Sequence, residues 1–231
     1  MAVTKGQTPV GNVRSGGSST SASLVITLGS IVGVGSIIHV GFGFSSTTGT
    51  PSLTSITDDK SNIYITDQNN FDVFSGGTGG TAHVLNVTNG AKVITITVGN
   101  SVAAGIGISG CVYELIGALT TGALDVNTTG AVSANPLNAT FNTTAANEFG
   151  CLTNFCSTST GTFTQNNGWT QDFTESAIGT FFFSNTLPAS GSNSCNATGG
   201  ATYHNAWAAS TYKPTIVVPP AAIPRTIFIM G

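Results

Sequence analysis

The chain has 231 residues, of which only 6% are charged, with six Lys+Arg against nine Asp+Glu and a formal net charge of −3. An average soluble domain is about 25% charged, so this surface has to be built from Thr, Ser, Asn and Gly. That excludes a basic nucleic-acid face, which needs clustered Lys or Arg, and a disordered chain of the highly charged kind.

Residues 1–22 read as a flexible arm, loosest at Gly16-Gly17-Ser18-Ser19. They carry no apolar segment after Lys5, so they do not form a secretory signal peptide. With Met1, this favours release by cell lysis, the route open to a virion component. The most apolar stretch, 23–44, is interrupted by Gly29, Gly33, Gly35, Gly41 and Gly43 and contains His39. Its glycines and β-branched residues suit strands and not a membrane span.

Strands are predicted at 24–28, 37–44, 53–57, 63–66, 71–74 and 82–87. The clearest is 93–98, where Ile94, Ile96 and Val98 form a wholly apolar face opposite Val93, Thr95 and Thr97. Further strands are expected at 106–115, 148–155, 160–164, 178–184 and 201–212. Turns are marked by Asp58-Asp59-Lys60-Ser61-Asn62, Asn89-Gly90 and Asn166-Asn167-Gly168. Gly76-Gly77-Thr78-Gly79-Gly80 reads as a flexible loop, because it lacks the Lys-Ser/Thr and helix of a phosphate cradle. Many short strands without helices, and no repeat of 20–50 residues, imply an all-β antiparallel β-sandwich or jelly roll over 23–213.

The tail, 214–231, differs from what precedes it. Pro214, Pro219, Pro220 and Pro224 prevent a regular sheet, while Ile216-Val217-Val218 and Thr226 to Met230 are β-prone. Such a Pro-rich arm either adds a strand to another chain's sheet edge or folds back to close its own sandwich.

The four cysteines, Cys111, Cys151, Cys156 and Cys195, allow three pairings of two disulfides. On a strand over 150–157, Cys151 and Cys156 point to opposite faces and do not pair. Buried free thiols and a single Cys156–Cys195 bridge remain the two readings. Neither the thiols nor His39, His83 and His204 stand at metal-ligand spacing, so no metal, cofactor or catalytic residue is expected. Glu114 is the most interesting of the three glutamates because it ends an apolar strand. It is expected to accept hydrogen bonds at a sheet edge, since glycoside hydrolysis would need a second, facing carboxylate. Asp58, Asp59 and Asn62 offer oxygens of the kind Ca2+ takes, but an Asp/Asn turn accounts for them. Trp169, Tyr203 and Trp207 are the candidate aromatics for stacking on a sugar ring, with a core role as the competing reading.

Several blocks in order resemble a family of β-sandwich domains found in phage structural proteins and large bacterial surface proteins. Thr54-Ser55-Ile56-Thr57-Asp58 with Asn62 and Tyr64 is similar to its first hairpin, with Ser61 where the family has a turn glycine. Residues 82–98, AHVLNVTNGAKVITITV, and Val112-Tyr113-Glu114-Leu115 with Gly117 resemble its central strands. Gly161 to Thr164 with Gly168-Trp169-Thr170, and Ala206-Trp207-Ala208-Ala209 with Tyr212-Lys213-Pro214, resemble its closing blocks. The resemblance spans roughly 24–214 and implies a sandwich in a virion or extracellular setting, without an assigned activity.

The sequence therefore predicts a non-enzymatic structural protein of a bacteriophage virion, a capsid-decoration (cement) or tail-fibre component. Its expected partners are other virion proteins and copies of itself in a homo-oligomer, with a trimer implied by the resemblance. The alternative is a carbohydrate-binding or adhesive module of a secreted bacterial protein, for which a cell-surface glycan is the partner. Neither reading involves nucleic acid or a membrane.

Overall fold

The computed structural model describes residues 2–14, 21–46, 49–72, 76–99, 106–133, 137–156, 164–165, 167–175, 179–198 and 204–215. These residues are all-β, and none of them is helical. Two short strands come first, β1 (Thr4–Lys5) and β2 (Val10–Arg14). They are followed by β3 (Ser21–Thr27), β4 (Ile37–Ser45), β5 (Ser52–Asp58), β6 (Ile65–Asp72), β7 (Gly77–Val84), β8 (Val93–Gly99) and β9 (Gly107–Ile116). The second half contains β10 (Leu124–Ser133), β11 (Leu137–Thr143), β12 (Glu148–Cys156) and β13 (Thr164–Gln165). It closes with β14 (Thr170–Glu175), β15 (Thr180–Leu187), β16 (Gly191–Thr198) and β17 (His204–Tyr212).

All pairings are antiparallel, and the strand orders reveal a duplication. The first half forms a sheet β2-β9-β4-β7-β6, with β1 also on β9, and a smaller sheet β3-β8-β5. The second half forms β10-β17-β12-β15-β14 and β11-β16-β13. Each strand from β2 to β9 thus has its counterpart eight strands later. Each half has the order of an eight-strand jelly roll whose fifth strand has joined the larger sheet. The sequence suggested one sandwich over 23–213; the chain builds two, stacked through their larger sheets. The duplication has a period near half the chain, so a scan for short repeats passes over it.

The result is four layers with three interiors. Between β3-β8-β5 and the first large sheet lie Leu24, Ile26, Ile38, Val40, Phe42, Ile94 and Ile96. Between the second large sheet and β11-β16-β13 lie Leu137, Phe141, Leu152, Trp169, Phe181, Phe183 and Trp207. The central interior, between the two large sheets, holds Val3, Ile37, Tyr113, Phe149, Phe182 and Tyr212. Alternation along β4 sends Ile38, Val40, Phe42 and Phe44 to one interior and Ile37, His39, Gly41 and Gly43 to the other, so the strand is buried throughout.

Glycine lets the large sheets approach closely. A Cβ on Gly41 would collide with Thr153 Oγ1, and one on Gly43 would lie 2.5 Å from Thr180 Cγ2. One on Gly77 would enter the Phe155 ring, and one on Gly79 would lie 2.7 Å from the Ala206 carbonyl oxygen. This corrects the reading of residues 76–80 as a flexible loop. Gly77 to Gly80 are buried in β7: Gly77 and Gly79 lie beneath the facing sheet, where no side chain fits, and Gly80 lies against the Phe42 ring of its own sheet.

The N-terminal segment is also more ordered than an arm. Over 4–14 it runs along β9 in two steps, with Val10 opposite Val112 and Thr4 opposite Ile116. Val3 is fully buried, and Lys5 forms an ion pair with Asp172 of the second half. The alternating composition expected of a strand is weak here, so its order comes from β9's unfilled edge. Two predicted strands at 63–66 and 71–74 are the single strand β6, and β10, β11, β14 and β16 have no predicted counterpart. The β-prone tail beyond 215 lies outside the described residues. Its start is anchored by Thr215 N donating to Gly117 O at 2.8 Å.

Candidate functional site

The polar and ionisable side chains are mostly committed to structure. Glu114 lies on β9 facing the 29–36 loop, where it accepts from Gly33 N at 2.7 Å, Ser36 Oγ at 3.2 Å and Gln7 Nε2 at 2.7 Å. Asp58 Oδ1 accepts from Lys60 N and Asn62 N, and its Oδ2 from Asn62 Nδ2 and Tyr64 OH. Asp59 Oδ1 accepts from Lys92 N and Val93 N. Asp58 thus closes the turn on itself as an Asx turn does, and Asp59 ties it to the start of β8. None of the four cysteines is in a disulfide, and all four are buried. Cys156 and Cys195 share the outer interior of the second half, while Cys111 and Cys151 share the central one. Burial pushes the Cys111 thiol up to about 12, which makes it a poor nucleophile.

A polar cluster crosses the centre of the molecule. His39 Nδ1 is 2.7 Å from Tyr212 OH, and His83 Nδ1 is 2.5 Å from Asp67 Oδ1. Ser210 Oγ donates to Asp67 Oδ2 at 3.1 Å and lies 2.9 Å from Thr81 Oγ1. A Ser, a His and an Asp are thus neighbours, but the serine bonds to the carboxylate and not to the imidazole. All are sealed between sheets, so the set ties the halves together. Burial, with the charge of His83 second, pushes the His39 imidazole down to about 3.

A second cluster escaped the sequence reading. Asp125 accepts from Thr144 N and Oγ1 at 2.5 and 2.6 Å and pairs with Lys213 Nζ at 2.8 Å. Glu148, fully buried beside it, accepts from Thr211 Oγ1 at 2.6 Å and from Ala145 N at 2.8 Å. Burial pushes the Glu148 carboxyl up. It acts on Asp125 in the same direction, but hydrogen bonds from Lys213 and Thr144 outweigh it and hold that carboxyl at about 2. This is the arrangement of two acids sharing a proton, yet the Asp125 side chain is only 3% exposed. The two acids lie 23 positions apart in the sequence, and no motif links them.

The aromatic candidates are not displayed as a platform. Trp169 and Trp207 are 6% and 7% exposed, both in the second half's outer interior, and Tyr203 lies outside the described residues. Trp169 packs edge-to-face on Phe141, with centroids 6.1 Å apart, and its Nε1 donates to Ser194 O at 2.9 Å. Trp207 covers Gly130, where a Cβ would lie 2.5 Å from the indole.

The edge of Trp169 nevertheless reaches a surface cleft of about 270 Å³ between the β13–β14 turn, the end of β15 and the start of β16. Leu187 and Pro188 join it as the apolar part of the wall, and Asn167, Asn185 and Asn193 supply amides. The turn that opens the cleft is Asn167-Gly168, with φ of 60° and 77°, a tight hairpin geometry that asparagine and glycine tolerate best. The signal for this cleft was present as Asn167-Gly168-Trp169 and Ser192-Asn193-Ser194, but the strands that bring those segments together were not predicted.

A second surface feature lies at one end of the first half. Ile31, Val34 and Ile63 are 63%, 75% and 84% exposed. Gly35 N donates to Val87 O, Asn62 Nδ2 donates to Asn89 O, and a Cβ on Gly90 would lie 2.6 Å from Ile31 Cγ2. Ile31 thus lies against the 86–90 turn, and Val34 and Ile63 are next in sequence to residues bonded to it. Comparison of the chain with family models, curated proteins and solved structures finds no match in any of the three.

Proposed function

We propose that this chain is a non-catalytic structural protein of a bacteriophage particle, a capsid-decoration or tail-fibre component that works through contacts between subunits. The observation that carries the reading is the exposed group Ile31, Val34 and Ile63 near the 86–90 turn. On a chain with so few charges, large apolar side chains raised on loops are suited to burial against a neighbour. Three further features support it. The two stacked sandwiches hold Asp58, Asp59, Asp67, Glu114, Asp125 and Glu148 in internal hydrogen bonds. The resemblance to phage and bacterial surface domains covers both halves. The C-terminal arm follows Thr215, whose N donates to Gly117 O, and its Pro-rich, β-prone sequence suits addition to a neighbour's sheet edge.

The contact is expected to join copies of this chain as well as other virion proteins. Two measurements test the proposal. Mass spectrometry of purified particles should find the chain at a fixed copy number. Light scattering of the isolated protein should give an oligomer that Val34→Asp with Ile63→Asp converts to monomer without unfolding it. A soluble monomer absent from particles would overturn the proposal.

A further inference from the structure

We infer that the cleft beside Trp169 is a binding site for a neutral saccharide. The inference stands apart from the virion reading, because it rests on this cleft alone.

The cleft's chemistry selects its ligand. Among the described residues, no charged side chain lines it, so nothing there compensates a phosphate, a carboxylate or an ammonium group. Its amides are held in place through their nitrogens. Asn167 Nδ2 donates to Ser194 Oγ at 3.1 Å, and Asn185 Nδ2 donates to Asn167 O at 2.9 Å. Asn193 Nδ2 donates to Thr143 Oγ1 and Gly191 O, both at 2.9 Å. Asn193 has both its N–H groups engaged, while Asn167 and Asn185 each have one engaged, and each amide keeps a carbonyl oxygen that can accept from a ligand. The wall therefore offers preoriented acceptors, which match a ligand rich in hydroxyl donors. Beside them, the Trp169 edge, Leu187 and Pro188 offer apolar surface for the C–H groups of a sugar ring.

Shape agrees with chemistry. A volume of about 270 Å³ fits one or two pyranose rings. Gly168, beside the cleft, holds a φ of 77° that disfavours any side chain there. The amides are set by backbone and side-chain hydrogen bonds on three different strand ends and one tight turn. Binding then costs little ordering of the site.

The experiment uses the full chain with the methyl glycosides of galactose, N-acetylglucosamine and rhamnose, read by saturation-transfer NMR and by tryptophan emission. At least one glycoside should bind saturably, with a Kd on the order of 1 mM for a single ring in an open cleft. The emission change is expected to come from Trp169, because Trp207 does not line the cleft. Ser192→Phe, at an exposed position on the cleft wall, should weaken binding by about tenfold or more while leaving the urea midpoint unchanged. Asn193→Ala provides a second variant that removes an acceptor without adding bulk. No saturable response to any of the three at about 50 mM would overturn the inference. So would binding undiminished in both variants, or the same emission change on adding CaCl2 alone.

Discussion

Gly43→Ala is the most direct test of the stacked arrangement. The new Cβ would lie 2.5 Å from both Cγ2 and Oγ1 of Thr180 on the facing sheet and 3.1 Å from its Cβ. Overpacking a close-packed interior costs about 1–3 kcal/mol, and replacing a strand glycine by alanine returns about 0.5–1 kcal/mol. The net expectation is a loss of about 1–2 kcal/mol. Thr180→Ala removes the obstacle. Its methyl is worth about 1 kcal/mol of burial, but its hydroxyl is buried without a hydrogen-bond partner among the described residues, a defect costing about 1–3 kcal/mol. That single variant should stay within about 1 kcal/mol of the parent. In the double variant the methyl introduced at position 43 meets only a Cβ at 3.1 Å, which a shift of a few tenths of an ångström relieves. Its stability should exceed the sum of the single effects by about 1–2 kcal/mol. Urea unfolding at 25 °C, followed by tryptophan emission, supplies the four midpoints of parent, single and double variants. Additivity within about 0.5 kcal/mol would refute the interlocking of the two large sheets at this notch.

Three further outcomes are expected. Ser61 holds a φ of 59°, a left-handed conformation that costs a non-glycine residue about 1–2 kcal/mol. Ser61→Gly should therefore raise stability in urea by up to about 1 kcal/mol after glycine's entropy cost, and a lower midpoint would contradict that account. His39 has its pKa lowered from 6.5 to about 3, so the folded protein declines a proton that the unfolded chain accepts. This contribution to stability is complete above pH 6.5 and is lost as pH falls towards 3. His39→Gln should flatten the fall of Tm between neutral pH and about pH 4; an unchanged slope would assign that acid sensitivity elsewhere. The four buried thiols should resist Ellman's reagent in the native protein at mildly alkaline pH and all react once it is unfolded. Rapid native labelling would place at least one of them at the surface.

The sequence by itself determined the class of structure and much of the first half. Period-two patterning at 93–98 placed Ile94, Ile96 and Val98 on one face, and all three are fully buried in β8. The turn residues Asp58 to Asn62 and Asn167-Gly168 were legible because their side chains and backbone angles act locally. Low charge and the absence of helical periodicity pointed to an all-β body before any strand was paired.

Tertiary structure alone decided what depends on partners distant in sequence. The glycines of β7 look like a loop in isolation, because a glycine gives no sign of the Phe155 ring or Ala206 carbonyl that will occupy its missing side chain's space. The 4–14 segment looks like an arm because β9, the strand that orders it, lies about a hundred residues away. Whether strands make one sandwich or two is settled by which faces meet. Buried on both sides, β4, β7, β9, β12, β15 and β17 carry mixed residues that no single-face pattern captures. Asp125 with Glu148, His39 with Tyr212, and the cleft beside Trp169 exist only once strands distant in sequence are brought together. Local chemistry is written along the chain, whereas the spaces between sheets are set by pairs of surfaces that the chain brings together only on folding.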